Sequence, residues 1–351
     1  MSQSLPPSSR RRFVSRSLLA GAALALPSIL VRRASGAGIA ERYSGLKSNR
    51  FLGKATVETT FTDEKVFTEG PAVDRAGNVF LTNVPVAKIL KWNPLARKLS
   101  VFRENSHEAN GLLFEPDGSL LACEGGAQRV TRTDMETGKI TVLAGAYHKG
   151  SPIGKTNDLT RDRKGRIYFT ARFGNARPTT GNVDSVYRVD PDGKLEAIMA
   201  DPQCRKPNGV VLSPDEKTLY LIEAHPLADH PRNIQAFDLG ADGRVSNQRT
   251  LIDFYPGRSG DGMCVDSLGN LYVAAGLHKT RNTSETLDTR PGIHVISPKG
   301  DLLAYRETPE DTITNCTFGG EDLKTLYVAC GTKLLSLRTK IAGKASYRPN
   351  A

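Results

Sequence analysis

Six stretches of the chain repeat one pattern of polar and apolar positions. Each begins with a short polar turn and continues into a run of β-branched, aromatic and other apolar residues, which is typical of a β-hairpin. The six stretches are 74–82, 115–123, 162–170, 213–221, 266–274 and 321–329. A second hairpin follows each one, as in 186–195 and 293–302. Two hairpins make a four-stranded sheet, and repeated sheets of this kind are the blades of a β-propeller.

The spacing of the turns sets the number of blades. The turn positions 77, 118, 165, 216, 269 and 323 are separated by 41 to 54 residues, and no long helical period interrupts them. We therefore predict an all-β fold, a six-bladed β-propeller with four-stranded blades over residues 61–345, preceded by an N-terminal linker over 38–60. A linear β-solenoid is the alternative, but its repeats are usually shorter.

The same register selects one side chain in each repeat. Asp and Asn favour turns wherever they occur, but turn chemistry does not explain six oxygen-bearing side chains in one register, one of them a Glu. In a propeller, equivalent positions on the innermost strands face one another across the central channel. Eight positions before each turn residue lie Glu69, Asn110, Asn157, Asn208, Asp261 and Asn315.

This set of residues predicts a cation site. Two carboxylates and several amides that converge on one point repel one another or stay unsatisfied without a positive charge. Oxygen ligands suit a hard ion, and two carboxylate charges match a divalent one. Calcium (Ca2+) therefore fits better than zinc, which prefers His and Cys. Another divalent cation such as Zn2+, Mn2+ or Mg2+ is the alternative.

The first 37 residues are predicted to be an export signal. The run 9–14 (SRRRFV) is followed by a small, apolar run over 17–31 and by 34–37 (ASGA). This is the order of a twin-arginine (Tat) signal, with cleavage near Ala37. The apolar run has 15 residues and contains Pro27, whereas a membrane span needs roughly 20 residues. We expect a periplasmic or secreted protein that uses the Tat export machinery and has no stable membrane insertion after cleavage; an uncleaved anchor or a basic tail is the alternative.

Charge and cysteine content remove other function classes. The formal net charge is +11, but six Arg and no acid lie in residues 1–37, so subtracting these six leaves +5 without a basic run. This excludes nucleic acid as the expected partner. The five cysteines are odd in number and show no metal-ligand spacing, and four lie in apolar strand-like stretches, so we predict no obligatory disulfide. The fold requires no partner, and we expect a monomer.

Five short runs carry a family resemblance. They are 68–71 (TEGP), 155–158 (KTND), 207–210 (PNGV), 261–266 (DGMCVD) and 315–320 (NCTFGG). The chain resembles the senescence-marker-protein/regucalcin/gluconolactonase family from about Phe61 to Leu337. The resemblance implies a six-bladed propeller with one divalent metal, commonly calcium, in its channel. Carried over by motif, the implied metal ligands are Glu69, Asn157, Asn208 and Asp261.

The resemblance also implies a reaction. Members hydrolyse sugar lactones or other activated esters, so a small lactone or ester is the implied substrate. Asp261 is the candidate general base or nucleophile, and Lys155 is a candidate catalytic and substrate-holding residue, with an exposed surface Lys as the alternative. Asn110 and Glu124 are expected to line the substrate side.

One motif departs from the family. Where gluconolactonases commonly read Tyr-Phe-Thr-Asp in the third blade, this chain has Ala171 followed by Arg172, and we expect Arg172 to contact the substrate. Loops over 225–233 and 278–292 are expected to cover the channel mouth. The alternatives are a non-catalytic binding propeller with a structural calcium, and another ester or phosphotriester hydrolase of the same fold.

Overall fold

The strands in the described part of the chain form six separate four-stranded antiparallel sheets. The computed structural model describes residues 39–146, 150–173 and 183–347. Within these ranges the helices are α1 (Ile39–Arg42) and the 3₁₀ turns Ser48–Arg50 and Val84–Val86. None of the helices in the described ranges is long and apolar enough to cross a bilayer. The predicted export signal over 1–37 lies outside the described residues.

Each sheet is one blade of a six-bladed propeller, as the repeat predicted. The first strand of the chain, β1 (Leu52–Thr60), belongs to the last blade. Blade 1 is β2 (Thr68–Val73), β3 (Val79–Asn83), β4 (Lys88–Asn93) and β5 (Lys98–Arg103). Blade 2 is β6 (Ala109–Phe114), β7 (Leu120–Glu124), β8 (Arg129–Thr133) and β9 (Ile140–Ala144). Blade 3 is β10 (Lys155–Arg161), β11 (Ile167–Arg172), β12 (Ser185–Val189) and β13 (Leu195–Ala200).

The remaining three blades repeat this order. Blade 4 is β14 (Pro207–Leu212), β15 (Thr218–Ala224), β16 (Arg232–Leu239) and β17 (Val245–Asp253). Blade 5 is β18 (Gly260–Val265), β19 (Leu271–Ala275), β20 (Gly292–Ile296) and β21 (Leu302–Glu307). Blade 6 is β22 (Ile313–Gly319), β23 (Thr325–Cys330), β24 (Lys333–Thr339) and β1.

The ring closes through the N-terminal strand. β1 pairs antiparallel with β24, so one blade contains both ends of the propeller. The prediction of a linker over 38–60 is therefore wrong, because 52–60 form a blade strand and the Tyr43 hydroxyl lies 2.8 Å from Nε2 of the buried His294. The physical reason is that β24 would otherwise leave its outer edge unpaired.

The predicted turns all occur in one backbone conformation. The residue at each turn position has a positive φ, from +54° at Leu323 to +93° at Gly118. Four of the six are Gly, which adopts this conformation without steric cost; Glu216 and Leu323 adopt it as well. The apolar runs after these turns are the buried second strands of the blades, and they pack against the next blade to form the core.

Close approach of the innermost strands defines the centre of the ring. The innermost strand of each blade packs against that of the next blade, and β22 packs against β2. In blade 1 this requires Gly70, whose φ is +47°. A Cβ atom at Gly70 would overlap the carbonyl oxygen of Asn110 on β6 and lie 2.6 Å from the Cα of Gly111. The absence of a Cβ atom at Gly70 therefore lets the innermost strands of blades 1 and 2 approach closely.

Replacing Gly70 should destabilise the ring. We expect Gly70→Ala to lower the free energy of unfolding by about 3 kcal/mol or more, because strain at positive φ adds to a backbone clash. Gly77→Ala is the matched control, since Gly77 has a φ of +82° but no heavy atom within 4 Å of an added Cβ. It should cost about 1 kcal/mol. Urea unfolding of both variants measures the difference, and equal losses would show that the close approach is not tight.

Candidate active site in the central channel

The six residues of the repeat register all lie on innermost strands. In each blade the pairing register of the innermost strand with its neighbour shifts at or next to this residue. Such a bulge re-aims a side chain out of the regular strand alternation. Five of the six side chains are buried and Asn110 is half-buried. The ring therefore forms as the register predicted, while its role as a ligand set stays a prediction.

Asp261 is the most constrained member of this ring. Asn208 donates from Nδ2 to Asp261 Oδ1 at 2.6 Å. Arg258 donates from Nη2 to Asp261 Oδ2 at 2.5 Å. Both side chains of this ion pair are buried, and Nη1 of Arg258 also donates to the carbonyl of Ile313 at 3.1 Å. Each carboxylate oxygen has more than one acceptor lone pair, so Asp261 keeps capacity for a further partner on each oxygen.

Three carboxylates share the buried centre. Burial, followed by the charges of Asp261 and Asp158, raises the pKa of Glu69 well above its ordinary value. Burial also raises the pKa of Asp158 to about 7, and the charge of Asp261 adds to that shift. Asn315 donates from Nδ2 to Asp158 Oδ2 at 3.4 Å. Arg258 supplies one positive charge to Asp261, and Glu69 and Asp158 add two further buried carboxyl groups. A bound cation would therefore be favoured electrostatically at this site.

The donor set fits a hard divalent cation. Glu69, Asn157, Asn208 and Asp261 supply carboxylate and amide oxygens from four different blades, and each is buried. Within the described ranges no three His, Cys, Asp or Glu side chains form a metal-binding group. A cation held here would therefore depend on the amide oxygens, which calcium accepts readily.

Lys155 and Arg172 lie together at the end of blade 3. They pair across β10 and β11, two residues from Asn157 along the strand. Lys155 is exposed and donates from Nζ to Glu108 Oε2 at 3.0 Å. Arg172 is half-buried, and its charge opposes the upward shift in the pKa of Glu69. Arg172 therefore lies close enough to Glu69 to influence its charge, whereas the ammonium of Lys155 is paired with Glu108 at the exposed end of the strand. The substrate roles of both residues stay predictions.

Glu124 does not join this group. Its side chain is fully buried, and its carboxylate accepts from Arg103 at 2.5 Å, from Arg129 at 2.7 Å and from the Thr131 hydroxyl at 2.9 Å. These partners lie on blades 1 and 2, so the carboxylate acts within the interface of the two blades. Its substrate-binding role is not supported by this geometry, because the side chain is fully buried and is paired with two arginines at the blade interface.

Changing Glu124 should affect stability and leave catalysis intact. We expect Glu124→Gln to lower the free energy of unfolding by about 3 kcal/mol, because two arginines lose their buried counter-charge. Glu136→Gln, at an exposed position of the same blade, should change it by less than about 0.5 kcal/mol. Denaturant unfolding and KM are measured together. A raised KM with unchanged stability would return Glu124 to the substrate site.

Two residues of the centre were not selected from the sequence. Asp158 directly follows Asn157, and its place beside a register residue on an innermost strand was an available signal. Arg258 precedes β18, and no local pattern marks it. Its position depends on carbonyl oxygens at Ile313 and Gly276, which belong to other segments of the chain.

Two histidines pack against other rings of the protein. His294 is buried against Tyr43, and burial lowers its pKa to about 3. His225 stacks on His230 at 3.7 Å between ring centroids.

The two loops expected to cover the channel mouth, 225–233 and 278–292, are joined by the fully buried Arg232, which donates to the carbonyls of His225 at 2.8 Å and Ser284 at 3.2 Å. These hydrogen bonds hold one loop against the other.

A cavity of about 100 Å³ continues from the ring along the channel. All six innermost strands line it, together with residues 344–347 from the end of the described chain. Lys344 donates its backbone N–H to the carbonyl of Val265, and the Ser346 hydroxyl donates to the carbonyl of Phe114. The C-terminal segment therefore packs against this part of the channel.

The sequence profile of the SMP-30/Gluconolactonase/LRE-like region family matches residues 67–332. The chain belongs to this family. A gluconolactonase from Zymomonas mobilis is 29% identical over 79% of this chain and 80% of that relative. A regucalcin from Oryctolagus cuniculus is 25% identical over 75% of this chain and 82% of the relative.

The fold of this chain also matches a solved structure. A gluconolactonase from Xanthomonas campestris superposes with a TM-score of 0.65 at 29% identity, covering 80% of this chain and 88% of that chain. The range matched by the family profile runs from residue 67, just before β2, to residue 332, just before β24, so it contains all six residues of the register. The family resemblance read from the short sequence runs is thereby confirmed.

Proposed function

We propose that this protein is a calcium-dependent lactonase that opens sugar lactones at the channel ring. The observation that carries the proposal is the buried group of carboxylate and amide oxygens on four innermost strands, in a chain whose relatives include gluconolactonases. Glu69, Asn157, Asn208 and Asp261 hold the cation in this proposal. When bound, the cation polarises the lactone carbonyl and stabilises the oxyanion that develops.

The residues of the chain supply the remaining steps. Asp261 takes a proton from the attacking water, or attacks the carbonyl itself. Arg258 and Asn208 fix the orientation of its carboxylate through the two hydrogen bonds described above. Lys155, Arg172 and Asn110 contact the hydroxyls of the sugar, since they lie at or beside the ring on blades 2 and 3. A small molecule of this kind needs no partner chain, and we propose a monomer.

A binding propeller with a structural cation is the second candidate. The observation that favours it is the bonding of both Asp261 oxygens to protein groups, because a base must still reach a proton. In that case the cation stabilises the fold and no lactone is turned over.

A lactone panel distinguishes the two candidates. We expect the protein from Gly38 onward to hydrolyse at least one aldono- or other sugar lactone, to lose this activity after chelation, and to regain it with calcium. Acid release measures turnover, and restoration with Zn2+, Mn2+ or Mg2+ in place of calcium ranks the metals. Tight calcium binding without turnover of any lactone would favour the binding propeller.

We also propose that the Tat export machinery delivers the protein to the periplasm or outside the cell. The support is the order of residues 9–37, with basic, apolar and then small residues. Fusion of residues 1–37 to a folded reporter tests it, and Arg11→Lys with Arg12→Lys should abolish export. Continued export of the double variant would contradict a twin-arginine signal.

A further inference from the structure

Two cysteines meet between blades 5 and 6. Cys264 on β18 and Cys316 on β22 have their Sγ atoms 3.5 Å apart, although they are 52 residues apart in sequence. Cys316 also donates from Sγ to the carbonyl of Tyr272 at 3.2 Å. All five cysteines are free thiols in the structure.

The surroundings of this pair allow a small reagent to reach it. Both cysteines line the channel cavity of about 100 Å³. Cys264 is partly exposed and Cys316 is buried. At roughly 30 Å³ per water, the cavity has room for about three waters, and residues 344–347 line it as well. A peptide-sized disulfide such as oxidised glutathione is too large for a space of this size, whereas hydrogen peroxide fits.

We propose that Cys264 and Cys316 form a disulfide when the protein is exposed to a peroxide. This disulfide joins the innermost strands of blades 5 and 6. The Cys264 sulfur attacks one peroxide oxygen, which breaks the O–O bond, releases water and leaves a sulfenic acid. The Cys316 sulfur then attacks the Cys264 sulfur and expels a second water. Two thiols and one hydrogen peroxide give one disulfide and two waters, so the peroxide is reduced and both sulfurs are oxidised.

The required movement is small. A disulfide needs an S–S distance of about 2.05 Å, so the two sulfurs, now 3.5 Å apart, approach by about 1.5 Å. Burial, followed by the contact with Cys316, raises the pKa of the Cys264 thiol well above its ordinary value. Little thiolate is therefore present near neutral pH, and we expect oxidation over hours that becomes faster at pH 9.

The bond would have a consequence for the ring. Asp261 and Cys264 share β18, while Asn315 and Cys316 are adjacent on β22. The disulfide would tie the two strands that carry these register residues and remove conformations from the unfolded chain. We expect the thermal unfolding midpoint of the oxidised protein to rise by roughly 5 °C, and the rise to disappear on reduction.

The experiment counts thiols in the full chain. The folded protein is treated with hydrogen peroxide, denatured, alkylated with iodoacetamide and digested with trypsin without reduction. The tryptic peptides 259–279 and 307–324 each contain one of the two cysteines. We expect alkylated thiols to fall from five to three and the two peptides to appear as one linked species. Five alkylated thiols after oxidation, or separate sulfinic acids on the two peptides, would overturn the proposal.

Variants assign the bond. Cys330→Ser, at a buried free cysteine of blade 6, should still form the link and retain two alkylated thiols. Cys264→Ser and Cys316→Ser should each abolish the link. The wild-type measurement decides the proposal even if a variant fails to fold, and it is independent of the lactonase activity.

Discussion

Asp261→Asn is expected to lower kcat for lactone hydrolysis by about 10²–10⁴-fold, the range that a positioned general base or nucleophile contributes. Asn retains the size of Asp and its oxygen can still accept from Asn208 or Arg258. It cannot take a proton, and it removes one of the two carboxylates predicted to hold the cation. The loss should therefore appear in turnover while the propeller stays folded. Initial rates of acid release and circular dichroism on the same preparation measure both.

The control for this variant is Asp117→Asn, which makes the same substitution at an exposed residue of the turn between β6 and β7. It should retain the turnover of the wild type. Unchanged turnover in Asp261→Asn would remove Asp261 from the reaction. Turnover per folded molecule that is retained, together with loss of the calcium shift in Tm, would favour a structural cation. Lost stability alone would not, because the variant also leaves the buried Arg258 without its counter-charge.

Glu69→Gln is expected to abolish the stabilisation by calcium. At a calcium concentration 100-fold above Kd, binding adds about 2.7 kcal/mol to the free energy of unfolding. For a propeller of this length that corresponds to a rise of about 4 °C in Tm. Without the Glu69 carboxylate the cation loses one of its two charged ligands, so this rise should be absent or much reduced.

The wild type should be more stable than Glu69→Gln with calcium, and this order of stability should reverse when calcium is removed. Glu69 is buried beside Asp158 and Asp261, which disfavour its charge. A neutral Gln relieves that repulsion, so the chelated variant should be at least as stable as the chelated wild type. Thermal melts with calcium and with chelator, using Glu136→Gln as the exposed control, test both signs. Equal calcium shifts in wild type and Glu69→Gln would exclude Glu69 as a ligand.

The ring of register residues could be predicted because its signals are local. Positive φ recurs at each turn position, so the turn marks the end of each innermost strand, and the ring residue lies eight positions before it. The same counting selected Glu69 and Asp261 from blades that differ elsewhere in sequence. A chain that repeats one supersecondary unit places equivalent positions at equivalent points of the fold, which is why one-dimensional spacing predicted a three-dimensional ring.

The contacts between blades could not be predicted in this way. Glu124 was expected to line the substrate side because it lies on a strand of blade 2. In the structure its carboxylate forms an ion pair with Arg103 of blade 1 across the interface of the two blades. No sequence pattern marks Arg258. Its bond to Ile313 joins two segments that meet only in the folded ring, and this placement directs its side chain to Asp261.

The sequence by itself determined the number of blades, the order of the hairpins and the six positions that reach the channel, because alternation of apolar residues and turn chemistry act within a few residues. Only the tertiary structure decided that β1 closes blade 6, that Glu124 is held within an interface, and that Cys264 lies 3.5 Å from Cys316. Each of these depends on a distance between segments that the chain brings together only when the ring is complete.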